Sequence, residues 1–120
     1  MEKNMNSYSI GFNGEELALE YLKNKGYRFL DKNFHSAFGE IDLIVENDEY
    51  LVFVEVKTRK NTNFGHPAEA VHIHKQNRLI QTCLFYLSMH HTMKFKRFDV
   101  ITIITDTGQI DHIENAFWCG

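Results

Sequence analysis

Three residues between Gly39 and Arg59 combine two side chains that can bind a cation with one that can donate a proton. Asp42 and Glu55 are carboxylates, and Lys57 follows Glu55 by two residues. Carboxylate oxygens suit Mg²⁺ and Mn²⁺, ions that keep several waters and recruit phosphate oxygens. A lysine beside them would orient or help to deprotonate a metal-bound water and would stabilise charge on a phosphate. The residue types therefore indicate a divalent-metal site for phosphate chemistry.

The hydrophobic pattern of the same segment predicts a β-hairpin, with a polar turn at residues 47–49. The odd positions of the first arm and the even positions of the second are apolar: Ile41, Leu43, Val45, Val52, Val54 and Val56. Residues opposite each other in an antiparallel pair point to the same face, so burying both sets requires odd to pair with even. That register places Asp42 on the other face with Glu55 and Lys57, which lie about 6–7 Å apart along their strand.

The alternative interpretation is an exposed cross-strand ion pair, because Glu-x-Lys is a common tripeptide. Two features favour a metal site. The same face carries Ile44, Leu51 and Phe53, so we expect it to be covered near the turn and open toward Asp42. Glu40 also lies on this face, and three acids around one lysine need a cation.

Several segments of the chain resemble a known family. GEIDLI and VFVEVKTR resemble the nuclease core of the PD-(D/E)XK superfamily, and the chain closely resembles the YraN family of small bacterial proteins, which are similar to archaeal Holliday junction resolvases. The resemblance extends to GFNGEELALEYL, GYRFL, FGHPAEAV, the helix with Lys75, and RFDVI. It implies an α/β protein with a restriction-endonuclease-like mixed β-sheet, a central hairpin and flanking helices. The superfamily's proline is absent, because Ile41 precedes Asp42.

The resemblance also implies an activity and the residues that perform it. The activity is Mg²⁺- or Mn²⁺-dependent hydrolysis of DNA phosphodiester bonds, leaving 5′-phosphate and 3′-hydroxyl ends. The catalytic residues are Asp42, Glu55 and Lys57, the first two as metal ligands, and the backbone carbonyl of Val56 is a further ligand. The residues expected to contact substrate are Arg59, Lys60 and Lys75. Lys75 reaches either a DNA phosphate or the active site, and a solvated side chain is the alternative for Arg59.

The first predicted helix supplies another acid. Asn13 can cap a helix that runs to Lys25 and stops at Gly26. Glu15 lies on the apolar stripe, whereas Glu16 lies on the wet side. The stripe consists of Ala18, Leu19 and Leu22. An acid there is unusual unless it meets a cation, and the resembling nucleases carry an acid at this place, so Glu15 is expected to be a third, weaker metal ligand. The alternative is a helix-end glutamate favoured by the macrodipole.

The remaining elements follow from apolar runs and turn residues. We expect a strand over Tyr27–Phe34, a loop over residues 35–38, and a polar loop over residues 58–66. A helical region from Pro67 to about Met89 has an apolar stripe made of Leu79, Ile80, Cys83, Leu84 and Leu87. A strand over Arg97–Ile104 turns at residues 106–108 into a short strand over Gln109–Ile113. The order of elements predicts a mixed sheet, mostly antiparallel, flanked by helices.

Two features near the C-terminal end are interpreted structurally. Asp99 is expected to be the buried partner of Arg97 rather than a metal ligand. Phe117 and Trp118 are expected to dock on the body of the protein or on a partner.

Composition limits the class of protein. The 120 residues predict a single domain over residues 1–120, and 43% apolar content fits a globular protein. There is no membrane-length apolar run or signal peptide, and Cys83 and Cys119 are expected to be reduced thiols, so a cytoplasmic location is predicted. The net charge of −3 argues mildly against a broad nucleic-acid grip. Basic clusters at residues 57–60, 74–78 and 94–97 either contact phosphates or are solvated.

Two functions therefore remain open. The first is an endonuclease acting on DNA, including branched or damaged DNA, and a homodimer as in junction resolvases is compatible with it. The second is a module that keeps the nuclease fold and binds nucleic acid or a protein partner without catalysis. The acidic net charge favours the second, and the intact set of Asp42, Glu55 and Lys57 favours the first.

Overall fold

The computed structural model describes residues 13–61 and 73–117. In these ranges the chain forms helices α1 (Gly14–Asn24) and α2 (Ile73–Met89) and strands β1 (Arg28–Ser36), β2 (Gly39–Glu46), β3 (Tyr50–Arg59), β4 (Phe95–Ile104) and β5 (Gln109–Ile113). The strands form one sheet in the order β1-β2-β3-β4-β5, with β3 and β4 parallel and the other neighbours antiparallel. This is the predicted mixed α/β sheet with flanking helices, and it is compatible with a restriction-endonuclease-like fold.

The central hairpin has the predicted turn and register. Asn47 Oδ1 accepts hydrogen bonds from the backbone N–H groups of Glu49 and Tyr50, at 2.9 and 2.7 Å. Leu43 of β2 pairs with Val54 of β3, so odd positions pair with even ones. The Asn47 hydrogen bonds in the turn and the alternation of apolar residues therefore favour the same strand register.

Each face of the sheet has its own core. On one face, strand side chains pack against α2: Ile41, Ile44, Leu51, Phe53, Phe98 and Val100 with Leu79, Cys83 and Tyr86. On the other, strand side chains pack against α1: Leu43, Val45, Val52, Val54, Ile101 and Ile103 with Ala18, Leu22 and Tyr27. Sheet residues that alternate along a strand therefore serve different helices.

Ile41 is on the opposite face from the one predicted, and the reason lies next to the candidate site. It packs against α2 rather than sharing the α1 face with Leu43. The β2–β3 ladder begins at Leu43, and at Asp42 a side-chain bond replaces it, in which the Val56 N–H donates to Asp42 Oδ2 at 2.8 Å. The alternation breaks where β2 leaves β3, whereas the hydrophobic pattern assumed an uninterrupted strand.

The predicted start and stop of α1 are confirmed. Asn13 Oδ1 accepts hydrogen bonds from the N–H groups of Glu15 and Glu16, at 3.0 and 3.2 Å. The helix ends at Asn24, and Gly26 follows with a φ of +99°, a conformation that glycine adopts without strain.

Several strand boundaries differ from the predicted ones. β1 continues to Ser36, into the predicted loop, and β3 keeps Thr58 and Arg59, which were also expected in a loop. β4 begins at Phe95 rather than Arg97, while β5 has the predicted bounds. The predicted segments over residues 62–72 lie outside the described ranges.

The buried stripe of α2 is rotated from the predicted one. Leu84 is 48% exposed, whereas Thr82 and Tyr86 are buried. The predicted stripe contained only aliphatic residues and cysteine. Thr82 and Tyr86 were left out of it because their hydroxyl groups make them partly polar, although their side chains are buried. Thr82 Oγ1 donates to Arg78 O at 3.0 Å, which satisfies the buried hydroxyl group.

Two further expectations are met within the described part of the chain. Phe117 stacks on Phe98 with ring centroids 4.4 Å apart, while Trp118 and Cys119 lie outside the described ranges. Cys83 is a buried free thiol. Neither helix of the described ranges has the length and apolarity that crossing a bilayer requires.

Candidate active site

The three residues singled out by their chemistry lie close together, and a second lysine joins them. Glu55 is only 6% exposed, and Lys57 Nζ lies 4.0 Å from its Oε2 atom. Lys75, in the first turn of α2, donates to the same oxygen at 2.7 Å. Asp42 interacts with Glu55 by charge and by a side-chain hydrogen bond. Two carboxylates and two ammonium groups thus share one cluster between the β2–β3 junction and α2.

The carboxyl group of Asp42 is the one that resists ionisation. Burial and the negative charge of Glu55 raise its pKa from 3.8 to about 7, against the opposing effect of the Val56 N–H, and Glu15 raises it further. A hydrogen bond between the two acids also favours a proton on Asp42. Asp42 therefore keeps its proton up to a pH near 7, as a buried carboxyl group beside a second carboxyl group does.

The two lysines are affected in opposite directions. Burial, followed by the positive charge of Lys75, lowers the pKa of Lys57, although Glu55 acts against this. Burial also opposes the charge of Lys75, but its hydrogen bond to Glu55 and the charge of that carboxylate outweigh it, so the pKa of Lys75 is raised. Lys75 is thus the stable counter-charge of Glu55. Lys57 is the lysine that loses its proton more easily.

A second group of polar residues lies beside Asp42. With its amide turned so that the nitrogen faces acceptors, Asn33 donates to Glu40 Oε2 at 2.8 Å and to Glu15 Oε1 at 3.1 Å. Its neighbours in β1 pair with the residues that flank Asp42 in β2. Asn33 has a φ of +52°, which asparagine tolerates better than most residues. β1 therefore departs from regular strand geometry opposite Asp42.

The carboxyl oxygens of Asp42 and Glu55 are donors of the type that a hard cation prefers. In residues 13–61 and 73–117, no three His, Cys, Asp or Glu side chains form a metal-binding group by themselves. Asp42 and Glu55 alone are two carboxylates. Two are enough, because proteins bind Mg²⁺ and Mn²⁺ through one or two carboxylates, with waters in the other coordination positions. Both lysines lie against Glu55, and within the described residues Asp42 has no ion pair of its own, so the chemistry of the pair fits such an ion. The roles of Glu15 and the Val56 carbonyl as added donors stay predictions.

The residues predicted to contact substrate lie in two separate parts of the structure. Arg59 and Lys60 line a shallow pocket of about 220 Å³ at the end of β3, with Thr58 and Asn61. Lys60 also lies 3.2 Å from Asp106 in an exposed ion pair. Lys75, by contrast, is inside the carboxylate–lysine cluster, which is the second of the two places that the sequence left open for it.

Sequence reasoning missed Asn33, and it did not foresee that Lys75 binds Glu55. Asn33 was counted as an ordinary strand residue, and the available signal was only that asparagine is depleted in strands and tolerates a positive φ. The contact between Lys75 and Glu55 joins residues 20 positions apart on different elements, which no local pattern encodes.

A mixed sheet with acids and lysines converging at a break between two strands defines the protein as an α/β domain compatible with the restriction-endonuclease-like class. The chain belongs to the family described as "Uncharacterised protein family UPF0102", whose model matches residues 14–103. This is the YraN family that the sequence motifs indicate.

Relatives in this family match nearly the whole chain. The UPF0102 protein of Syntrophomonas wolfei is 47% identical over 113 residues, covering 90% of this chain and 96% of the relative. That of Vibrio parahaemolyticus is 50% identical over 109 residues, covering 89% and 90%. That of Thermodesulfovibrio yellowstonii is 45% identical over 109 residues, covering 91% and 96%.

Proposed function

We propose that this protein is a Mg²⁺- or Mn²⁺-dependent endonuclease that hydrolyses phosphodiester bonds in DNA, with branched or damaged DNA as its substrate. One observation carries the proposal: the half-buried Asp42 and the buried Glu55 are neighbouring carboxyl groups beside Lys57, whose Nζ atom lies 4.0 Å from Glu55 Oε2. Burial, followed by the negative charge of Glu55, raises the pKa of Asp42 to about 7. A binding module has no use for clustered acids near a phosphate, whereas a metal-dependent phosphodiesterase needs them.

Each residue of the cluster has a distinct role in this proposal. Asp42 and Glu55 would hold the cation, with the Glu15 carboxylate and the Val56 carbonyl as further oxygen donors. When bound, the cation would activate the phosphate as a Lewis acid and lower the pKa of water. Lys57 would orient the attacking water and stabilise charge on the phosphate, and its lowered pKa leaves a larger fraction of its amine neutral, and so able to accept a proton, than in an ordinary lysine.

The basic residues around the cluster would bind the DNA backbone. Arg59 and Lys60 continue β3 beyond Lys57, and the shallow pocket that they line is open to solvent. The exposed ion pair between Lys60 and Asp106 contributes little stability, so Lys60 can exchange Asp106 for a phosphate. Lys75, which lies at Glu55, would donate to an oxygen of a phosphate bound beside the carboxylate pair. A homodimer stays a prediction from the resemblance to junction resolvases, and a cytoplasmic location stays a prediction from the composition.

The proposal is tested by cleavage of four-way, flap and linear DNA with Mg²⁺ or Mn²⁺, and with EDTA as the metal-free control. Lys57→Ala is expected to reduce cleavage by about a hundredfold or more, the range lost when a group that transfers or orients a proton is removed. Mn²⁺ binding, measured by titration calorimetry, should be nearly unchanged, because Lys57 is not a ligand. Lys32→Ala is the matched control, since it removes an exposed lysine from β1. Failure of the wild type to cut any of these DNAs would reject the proposal, and undiminished cleavage by Lys57→Ala would reject the mechanism.

The second function, a non-catalytic binding module, is favoured by the contact between Lys75 and Glu55. An ammonium group 2.7 Å from Glu55 Oε2 occupies an oxygen that a cation would use. In that case Lys75 is a permanent counter-charge, and nucleic acid should bind equally well with Mn²⁺ or EDTA. Lys75→Met separates the two functions. An enzyme should bind Mn²⁺ both as wild type and as Lys75→Met, whereas a module should not bind it as wild type, because Lys75 occupies Glu55, and should gain binding at most in the variant.

A further inference from the structure

Asn33 lies opposite Asp42 in the sheet and has a backbone conformation that ordinary strand residues do not adopt. The residues on either side of Asn33 in β1 pair with the residues on either side of Asp42 in β2. The φ of Asn33 is +52°, in the left-handed region, which strains most residues other than glycine although asparagine tolerates it. Residues that keep such a conformation cluster at functional sites, so the position next to Asp42 indicates a role for Asn33.

The side-chain amide of Asn33 connects two acids from different elements. With its nitrogen turned toward them, it donates to Glu15 Oε1 at 3.1 Å and to Glu40 Oε2 at 2.8 Å. Glu15 lies in the first turn of α1, and Glu40 lies in β2, two residues before Asp42. An amide nitrogen carries two hydrogens, and both are used here. Asn33 therefore connects the start of α1 to the strand that carries Asp42.

Glu15 is the acid that this connection holds near Asp42. Its charge acts on the carboxyl group of Asp42, which shows that the two side chains are neighbours. Like charges repel, and Glu15 is only half-buried, so without a partner its carboxylate can turn away toward water. The hydrogen bond from Asn33 opposes that movement.

A neutral donor suits a carboxylate that binds a cation. Lys75 holds Glu55 with a positive charge at 2.7 Å, and that charge repels any cation bound to the same carboxylate. The amide of Asn33 holds Glu15 without adding a charge, so the negative charge of Glu15 stays available. Hydrogen-bond partners of this kind orient the carboxylates that bind metal ions in proteins.

We propose that Asn33 is a positioning residue, which holds the Glu15 carboxylate beside Asp42 so that the two acids bind a divalent cation together. Glu40 accepts the second hydrogen bond and keeps the amide nitrogen turned toward Glu15. This role rests on the metal site of the proposed function. It also gives a physical reason for the strained backbone opposite Asp42.

Asn33→Gly tests the role, because it removes the amide and tolerates the positive φ. Mn²⁺ binding, measured by titration calorimetry, should weaken by about tenfold or more, the range lost when the partner of a metal ligand is removed. The melting temperature in EDTA should stay close to that of wild type. Asn115→Gly is the matched control and should leave Mn²⁺ binding unchanged. Asn115 has the same conformation, with a φ of +53°, but contacts Asp99 rather than the acids around Asp42.

A double-mutant cycle measures whether Asn33 acts through Glu15. In a Glu15→Gln background, Asn33→Gly should have little further effect on Mn²⁺ binding, because the side chain that Asn33 positions has already lost its charge. A purely structural role of Asn33 would instead weaken binding equally in both backgrounds.

Three results overturn the positioning role. They are unchanged Mn²⁺ binding in Asn33→Gly, an equal loss of binding in the Glu15→Gln background, and a melting temperature far below that of Asn115→Gly. Each of them leaves the proposed nuclease function in place when wild type binds Mn²⁺ and cuts DNA. Conversely, wild type that binds Mn²⁺ but cuts no DNA rejects the nuclease function and leaves the positioning role intact. Absence of Mn²⁺ binding by wild type overturns both.

Discussion

Two aspartates of the same sheet, Asp42 in β2 and Asp99 in β4, have opposite environments. Asp99 is fully buried, yet its pKa is lowered: burial alone would raise it, and hydrogen bonds from His112 and Arg97 outweigh that effect. His112 Nε2 lies 2.7 Å from Oδ2, and the Asn115 N–H donates to Oδ1 at 3.0 Å. Asp99 is therefore a carboxylate with all the partners that it needs.

Asp42 is less buried and less well compensated. It accepts a hydrogen bond from the Val56 N–H, and the acids Glu55 and Glu15 lie close to it. The charge of Lys75, which is hydrogen-bonded to Glu55, reaches Asp42 without a hydrogen bond among the described residues. The pKa of Asp42 is therefore raised to about 7. Burial alone does not distinguish a functional carboxylate from a structural one, and the balance between donors and neighbouring acids does. Asp99 has a structural role, since it connects Arg97, His112 and Asn115 by hydrogen bonds. In the function that we propose, a bound cation would supply the positive charge that Asp42 lacks.

The largest expected effect separates the two aspartates by stability. Asp99→Asn leaves the guanidinium of Arg97, 7% exposed, without its charged partner, which should lower the free energy of unfolding by about 3–5 kcal/mol. Urea unfolding at neutral pH measures this loss. Asp111→Asn, which affects an exposed hydrogen bond from Gln109, should cost far less. Equal losses in the two variants would contradict the structural role of Asp99.

The second prediction uses pH to test Asp42. Since the folded pKa is raised from 3.8 to about 7, the folded state loses stability as pH rises through this window and carries the full penalty above it. Asp42→Asn, which lacks the penalty, should melt like wild type near pH 4 and at the same or a higher temperature above pH 7, in EDTA. A large drop in melting temperature at pH 8 would make Asp42 a structural residue.

Asp99 should show the opposite pH dependence. Because its folded pKa is lowered below 3.8, its stabilisation is present above that pH and is lost as pH falls through the folded pKa. The difference in melting temperature between wild type and Asp99→Asn should therefore be constant at neutral pH and shrink in acid. A difference that grows on acidification would contradict this assignment.

Smaller effects are expected at the start of α1, where two adjacent acids face different surroundings. Glu15 lies near Asp42 and Asn33, whereas Glu16 is exposed. Glu15→Gln should raise the Mn²⁺ concentration required for cleavage with little loss of fold. Glu16→Gln should leave cleavage unchanged and cost at most about 0.5–1 kcal/mol through weaker capping and dipole terms. Metal-dependence curves beside thermal melts measure both. Lost activity in Glu16→Gln alone would overturn the third-ligand assignment.

The sequence predicts the parts of this molecule that depend on local pattern. The hairpin register, the Asn13 cap, the bounds of β5 and the pair of Arg97 with Asp99 follow from alternation, spacing and charge. These features are set by neighbours within a few residues or by one paired strand.

What the sequence does not predict depends on packing between elements. β2 leaves β3 at Asp42, which moves Ile41 to the other face, and no residue pattern marks that departure. The positive φ of Asn33 and the contact of Lys75 with Glu55 likewise arise when β1 and α2 meet the hairpin. The sequence predicted that Asp42, Glu55 and Lys57 lie together, but it did not predict that Lys75 pairs with Glu55 and leaves Asp42 without an ion pair among the described residues.

Mn²⁺ binding, measured by titration calorimetry at pH 6 and pH 8 in buffers of different ionisation enthalpy, tests the central claim most directly. If Asp42 is a metal ligand with a pKa of about 7, binding at pH 6 should release about one proton, and binding at pH 8 should be tighter and release almost none. Asp42→Asn should bind Mn²⁺ far more weakly at both pH values. Absence of Mn²⁺ binding by the wild type, or equal binding by Asp42→Asn, would contradict the account.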